Sequence, residues 1–130
     1  MRDASIAAVG RLLLAALFLV SGLSKLGAAA VTTGYIASVG LPLSGVVYAI
    51  TLVVEIGGGL LLLIGLQARP VAVLLALFSI VAAILFHSNF ADQNQAIHFM
   101  KNLAIAGGLL QVAVAGAGRL SLDERRLQAA

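Results

Sequence analysis

Four apolar stretches dominate the chain, each about as long as a bilayer is thick. They run over approximately residues 6–26, 45–66, 71–86 and 96–117. A helix needs about 20 apolar residues to cross a hydrocarbon core of about 30 Å. In lipid no water satisfies backbone N–H and C=O groups, so only helices and closed barrels span it. The runs here are continuously apolar and do not alternate, which points to helices. Apolar residues make up 62% of the chain and charged ones 10%, against roughly a quarter charged in a soluble domain. That leaves too little polar surface to coat a water-soluble core. The expectation is an all-α polytopic membrane protein: one domain over residues 1–130, built as a four-helix up-down transmembrane bundle in a bacterial inner (plasma) membrane.

The segments are separated by turn formers. Gly34, Gly40 and Pro42 punctuate the first connection, where Val31, Tyr35 and Ile36 suggest a short amphipathic piece lying at the interface. Gln67-Ala68-Arg69-Pro70 makes a tight second turn, with Pro70 placed to open the third helix. His87-Ser88-Asn89-Phe90-Ala91-Asp92-Gln93-Asn94 forms a polar third loop, and the tail after Arg119 is short and polar. The beginning of the chain has some features of a secretory leader. Arg11 inside the first segment, with Lys25 and Gly27 at its end, argues that it stays as a span.

The net charge is +3. The basic residues stand at helix ends and in tails, where they orient the chain in a membrane; no nucleic-acid partner is expected. Arg2, Arg11, Arg69, Arg119, Arg125 and Arg126 fall on one side of a four-span chain, and Lys25 and Lys101 on the other. Lys and Arg collect on the cytoplasmic side, so both termini are expected inside.

Glu55 is the most constraining single residue. It lies about 10 residues into the second segment, roughly 15 Å deep, where an ionised carboxylate must pair or face a wet cavity. Tyr48, Thr51, Gly58, Gly59 and Leu62 share its helical face. Lys101 starts roughly 8 Å from Glu55 along the bundle axis, and Arg11 a similar distance on the other side, by the rise per residue. These two are the first candidates for its partner. Lys25, nearer the interface, reads more readily as a cation snorkelling to the headgroups. Arg11, Phe18 and Lys25 recur every seven residues, with Ser21 and Gly22 beside them. Glu55, Lys25, His87, Lys101 and Asn102 are therefore candidates to line one polar cavity, with His98 near its mouth. A purely structural pair at Glu55 is as good a reading as a functional one.

His87 and His98 stand at the ends of adjacent helices, but their spacing matches no haem or zinc motif, and no metal site is expected. The absence of cysteine removes thiolate ligation and CxxC chemistry. Gly57-Gly58-Gly59, Gly107-Gly108 and the small residues Ala72, Ala76 and Ala83 suit close helix packing, within one bundle or between copies in a homo-oligomer.

Several strings then form one pattern. Arg11-Leu12-Leu13 leads on to Phe18-Leu19-Val20-Ser21-Gly22-Leu23-Ser24-Lys25-Leu26. Glu55 precedes Gly57-Gly58-Gly59, Gly65-Leu66 and Arg69, and Phe86-His87 ends the third segment. His98-Phe99-Met100-Lys101-Asn102-Leu103-Ala104 precedes Gly107-Gly108, and Ser121-Leu122-Asp123 follows. In order and spacing this resembles the DoxX family of small inner-membrane proteins, over nearly the whole chain. The resemblance implies a redox or respiratory setting, since the family is named for a small subunit associated with a terminal quinol oxidase and with thiosulfate:quinone oxidoreduction.

Two functions follow as expectations. One is an accessory redox protein, embedded in the lipid bilayer, that binds a quinone or anchors an oxidoreductase partner subunit. It would carry no covalent cofactor of its own, and Glu55 and Lys101 would form the polar heart of the site. The other is a scaffold or proton-linked carrier of small solutes, without electron transfer, for which a deep carboxylate is equally useful.

Overall fold

The computed structural model describes all 130 residues, Met1 to Ala130. It is entirely helical. Four helices are long and apolar enough to cross a membrane: α1 (Arg2–Leu26), α3 (Ser44–Ile64), α4 (Ala68–Phe86) and α5 (Gln93–Ala115). Two shorter helices flank them, α2 (Ala29–Ser38) after the first span and α6 (Leu122–Ala129) at the end. The even number of spans puts both termini at one end of the bundle, together with the α3–α4 turn. The α1–α3 connection and the α4–α5 loop lie at the opposite end.

The interior is thin and mixes alanines with larger apolar side chains. Ala15 and Phe18 of α1, Leu62 of α3, Val71, Ala72, Leu75 and Ala76 of α4, and Ala106 and Leu109 of α5 form one buried cluster. Large side chains such as Leu13, Val20, Val53 and Leu77 point outward, as they should when the surrounding solvent is lipid. Glycines set how closely α1 and α3 approach. A Cβ on Gly22 would stand 2.6 Å from Ile56 Cγ1, and one on Gly59 3.0 Å from Leu19 side-chain atoms. The first contact is too close for a methyl group, and the second admits one only if the Leu19 side chain gives way.

Helix α3 is not regular. Over Val53–Gly57 it widens into a π-helical turn centred on Glu55. Such bulges add a residue to a turn and often occur at functional sites. Immediately after it Gly58 packs on Leu75, where an added Cβ would lie 2.9 Å from that leucine. Gly65, with φ +68°, then ends the helix in the left-handed conformation that glycine adopts without strain.

The boundaries shift from the sequence reading for identifiable reasons. Helix α4 starts at Ala68, ahead of Pro70, which sits in the first turn where its missing N–H costs nothing. Asp92 caps α5 by accepting from Asn94 N at 2.9 Å, so that helix begins at Gln93, three residues earlier than expected. It stops at Ala115 because Gly116 takes φ +87°. The expected amphipathic piece in the first connection is α2, and the polar tail is the helix α6.

Candidate functional site

Glu55 is buried and is held by α1. Lys25 Nζ lies 3.0 Å from both Oε1 and Oε2, and Ser21 Oγ donates to Oε1 at 3.1 Å. Lys25 also donates to Ser21 Oγ at 2.6 Å, closing a three-membered network. It is the chain's one ion pair, with the lysine side chain 30% exposed and the carboxylate 5%. Tyr48, one π-widened stretch earlier on α3, donates its hydroxyl to Lys25 O at 2.9 Å and ties down the end of α1.

Lys25, and neither Lys101 nor Arg11, is therefore the partner of Glu55. The direction of side chains along a helix explains the correction. Every Cα–Cβ bond tilts toward its helix's N-terminus. Lys25 stands at the C-terminal end of α1, so its side chain runs back into the bilayer and meets Glu55, whose own tilt on the oppositely directed α3 brings it toward Lys25. Lys101 stands early in α5, so its tilt carries it toward the loop end, away from the midplane. Lys101 is exposed and forms no hydrogen bond or ion pair. Snorkelling is thus the wrong description of Lys25.

Arg11 does something else. It is buried, and its guanidinium gathers four backbone carbonyls at the terminal end of the bundle. Nε donates to Ala117 O at 3.2 Å, Nη1 to Leu62 O at 2.7 Å and also to Leu63 O, and Nη2 to Leu120 O at 2.7 Å. Leu62 and Leu63 belong to the last turn of α3, whose carbonyls have no partner within the helix. Arg11 is a structural clamp between α1, the end of α3 and the α5–α6 connection, and it lies outside the cavity described next.

Opposite the termini, the network opens on a cavity of about 600 Å³ to which all four spans and α2 contribute. Its wall is apolar: Leu17, Phe18, Ile50, Phe78, Val81, Leu85 and Ile105 among others. Its polar groups are Ser21, Lys25, Glu55, His87, His98, Lys101 and Asn102, with Thr32, Tyr35, Thr51 and Ser79. Six of the seven residues singled out from sequence thus border one space; Arg11 does not. Asn102 donates its side-chain N–H to His98 O at 2.9 Å. The imidazoles of His87 and His98 face each other with ring centroids 5.1 Å apart. Burial, and secondarily the neighbouring His98, lowers the His87 pKa below its ordinary value, which favours the neutral ring. No group of three or more His, Cys, Asp or Glu gathers in a metal-binding arrangement.

Sequence reasoning missed the roof of this cavity. Helix α2 lies over it: Ile36 is buried, Tyr35 stacks on Phe86 with centroids 5.4 Å apart, and Tyr35 OH donates to Phe86 O at 3.3 Å. The aromatic and apolar residues of the first connection were the available signal. Ser21 was visible beside the Arg11–Phe18–Lys25 stripe, but its contact with Glu55 required the helix orientations.

The family model described as DoxX matches residues 6–88, which take in the first three spans and the Lys25–Glu55 pair. The chain belongs to the DoxX family. Inner membrane protein YqjF of Escherichia coli K12 is 40% identical over 115 residues, covering 88% of this chain and 87% of that protein. Inner membrane protein YphA of the same strain is 31% identical over 122 residues, 90% of this chain and 87% of the relative. No solved structure matches the chain. With four spanning helices and these relatives, this DoxX protein is a multi-pass inner-membrane protein.

Proposed function

We propose that this DoxX protein is an accessory protein of membrane redox metabolism that binds a quinone-type ligand in the α2-roofed cavity. One observation carries the reading: a space of about 600 Å³ has a largely apolar wall and a few converging polar groups. That volume falls within the range typical of small-molecule sites. A quinone has a planar apolar ring, an apolar tail and two carbonyl oxygens that need hydrogen bonds. The apolar wall suits ring and tail. Lys101, which has no partner within the chain, is free to donate to a carbonyl oxygen, and His87 and His98 stand beside it. The Lys25–Glu55–Ser21 network holds a carboxylate at the cavity wall in a fixed position. Quinone reduction consumes two protons with two electrons. Residues of this type hold and pass protons, while the electrons come from a partner oxidoreductase.

The test is extraction of the purified protein and quantification of its lipids by mass spectrometry, followed by titration of the stripped protein with a short-tailed quinone. Bound quinone, and a saturable titration weakened by Lys101→Met, is the expected result. A protein that takes up no quinone in either experiment overturns the proposal and leaves the carrier or scaffold reading in its place.

A further inference from the structure

The other end of the molecule holds a second concave site that the cavity chemistry does not use. Helix α6 is short and polar, yet it is fixed to the bundle by an unusual number of bonds. Asp123 accepts from Gln67 N at 2.8 Å and from Ala68 N at 2.9 Å, capping the start of α4 from 55 residues away. Its own N–H donates to Gly65 O at 2.9 Å. Ser121 caps α6 through Glu124 N, and the Arg11 clamp holds Ala117 and Leu120. Parked in this way, α6 forms one wall of a groove of about 590 Å³, opposite the first turn of α4 and the end of α5.

Three arginines line that groove: Arg69, Arg119 and Arg126. Two carboxylates, Asp123 and Glu124, line it as well; they leave the lining with a net charge of +1, and neither is paired with an arginine. Asp123 is taken up by the two backbone N–H groups, and Glu124 Oε1 accepts from Gln128 Nε2 at 3.1 Å. No ion pair joins any of the three guanidiniums to either acid. Arg69 uses Nη1 on the carbonyls of Ala113 and Val114, which fixes its plane and leaves Nε and Nη2 beside Gly116. The side chains of Arg119 and Arg126 make no hydrogen bond within the chain. Leu127 also lines the groove, and Leu120 and Leu127 are exposed next to the arginines.

The groove lies where the spans end, at the level of lipid headgroups. Guanidinium groups bind phosphate with matched, charge-assisted hydrogen bonds, and basic pockets between transmembrane helices are suited to anionic headgroups. Exposed leucines next to such a pocket fit acyl chains better than water. We propose that this groove binds the phosphate of an anionic phospholipid, with Arg119 and Arg126 supplying the contacts and Arg69 the preset third donor. The proposal is independent of what occupies the α2-roofed cavity.

Arg125 makes the test specific. It neighbours Arg126 on α6 but does not line the groove, so removing either changes the net charge equally. The experiment follows the melting temperature of the full-length protein in neutral detergent, with phosphatidylglycerol, phosphatidylcholine or inorganic phosphate added. Phosphatidylglycerol is expected to raise it by several degrees, and the other two to leave it unchanged. Arg126→Gln and Arg119→Gln should each lose most of that rise, while Arg125→Gln keeps it; none of the three side chains holds a bond that folding needs. Equal losses in Arg125→Gln and Arg126→Gln would mean diffuse attraction and overturn the site. A rise produced equally by inorganic phosphate would overturn the lipid assignment, and no rise in the unaltered protein would overturn both.

Discussion

Lys25 and Glu55, thirty residues apart, meet with the lysine Nζ 3.0 Å from each carboxylate oxygen. They do not bear the cost of separation equally. Glu55 is buried and surrounded by α1 and α3, whereas the Lys25 side chain retains about a third of its exposure along the cavity wall. Lys25→Met strands a carboxylate that keeps only Ser21 as donor. Glu55→Gln strands an ammonium that can turn into the cavity.

The first prediction follows from that asymmetry. Breaking a buried pair by removing one partner costs about 3–5 kcal/mol, and Lys25→Met should approach that range. Glu55→Gln should cost less, and the double variant should recover much of the loss because neither neutral group needs the other. Lys101→Met should leave the melting temperature in detergent unchanged, since Lys101 has no partner. A double-mutant cycle on melting temperatures measures all of this. Strictly additive losses for Lys25 and Glu55 would show that the pair contributes no coupling.

Arg11 is predicted to tolerate no replacement, lysine included. Its fork reaches carbonyls in two separate segments at once, and a single ammonium cannot span them. Hydrogen bonds from a charged group contribute about 1.5–3 kcal/mol each, so Arg11→Lys should cost at least about 2 kcal/mol. It should also release the α5–α6 connection. Limited trypsin digestion should then cut at Arg119, Arg125 and Arg126 much faster than in the unaltered protein, with the spans still intact. Unchanged cleavage would show that Asp123 and Ser121 hold α6 without the clamp.

The spans and the inward face of α1 were legible in the sequence because period and length are properties of the chain alone. Arg11, Phe18 and Gly22 share a stripe, and all three are buried. The Glu55 partner was not legible, because distances along the axis ignore the direction in which side chains lean. Judged by height, Lys101 and Arg11 ranked ahead of Lys25; judged by helix polarity, only Lys25 leans toward Glu55. The trans cap from Asp123 was hidden for another reason. Gln67 precedes α4 with φ +52° and offers no side-chain cap, so the missing acceptor had to come from a segment whose position only the fold supplies.

Orientation across the membrane provides a separate prediction. The termini, the Arg69 turn and α6 share one end, which carries six of the eight Lys and Arg residues. The positive-inside rule predicts that this end faces the cytoplasm. Reporter fusions after Arg69 and after Gln128 should read cytoplasmic, and one after Asn89 should read external. The opposite pattern would invert the protein and place the α2-roofed cavity toward the cytoplasm.

The last prediction concerns acid. His87 lies just beyond α4, and burial, with His98 facing it 5.1 Å away, lowers its pKa below the ordinary value of 6.5. The unfolded chain, where the imidazole is solvated, therefore binds its proton at a higher pH than the folded protein does. Stability rises with pH wherever the unfolded state holds more protons. The contribution of neutral His87 is thus complete above about pH 6.5, and it is lost as the pH falls from there through the lowered folded value. Melting temperatures taken between pH 7.5 and pH 5 should fall, and the fall should be smaller in His87→Gln, which cannot take up the proton. His98→Gln should retain part of it, since burial, the larger cause, is untouched. An identical acid response in His87→Gln and the unaltered protein would move the origin of that response to another group.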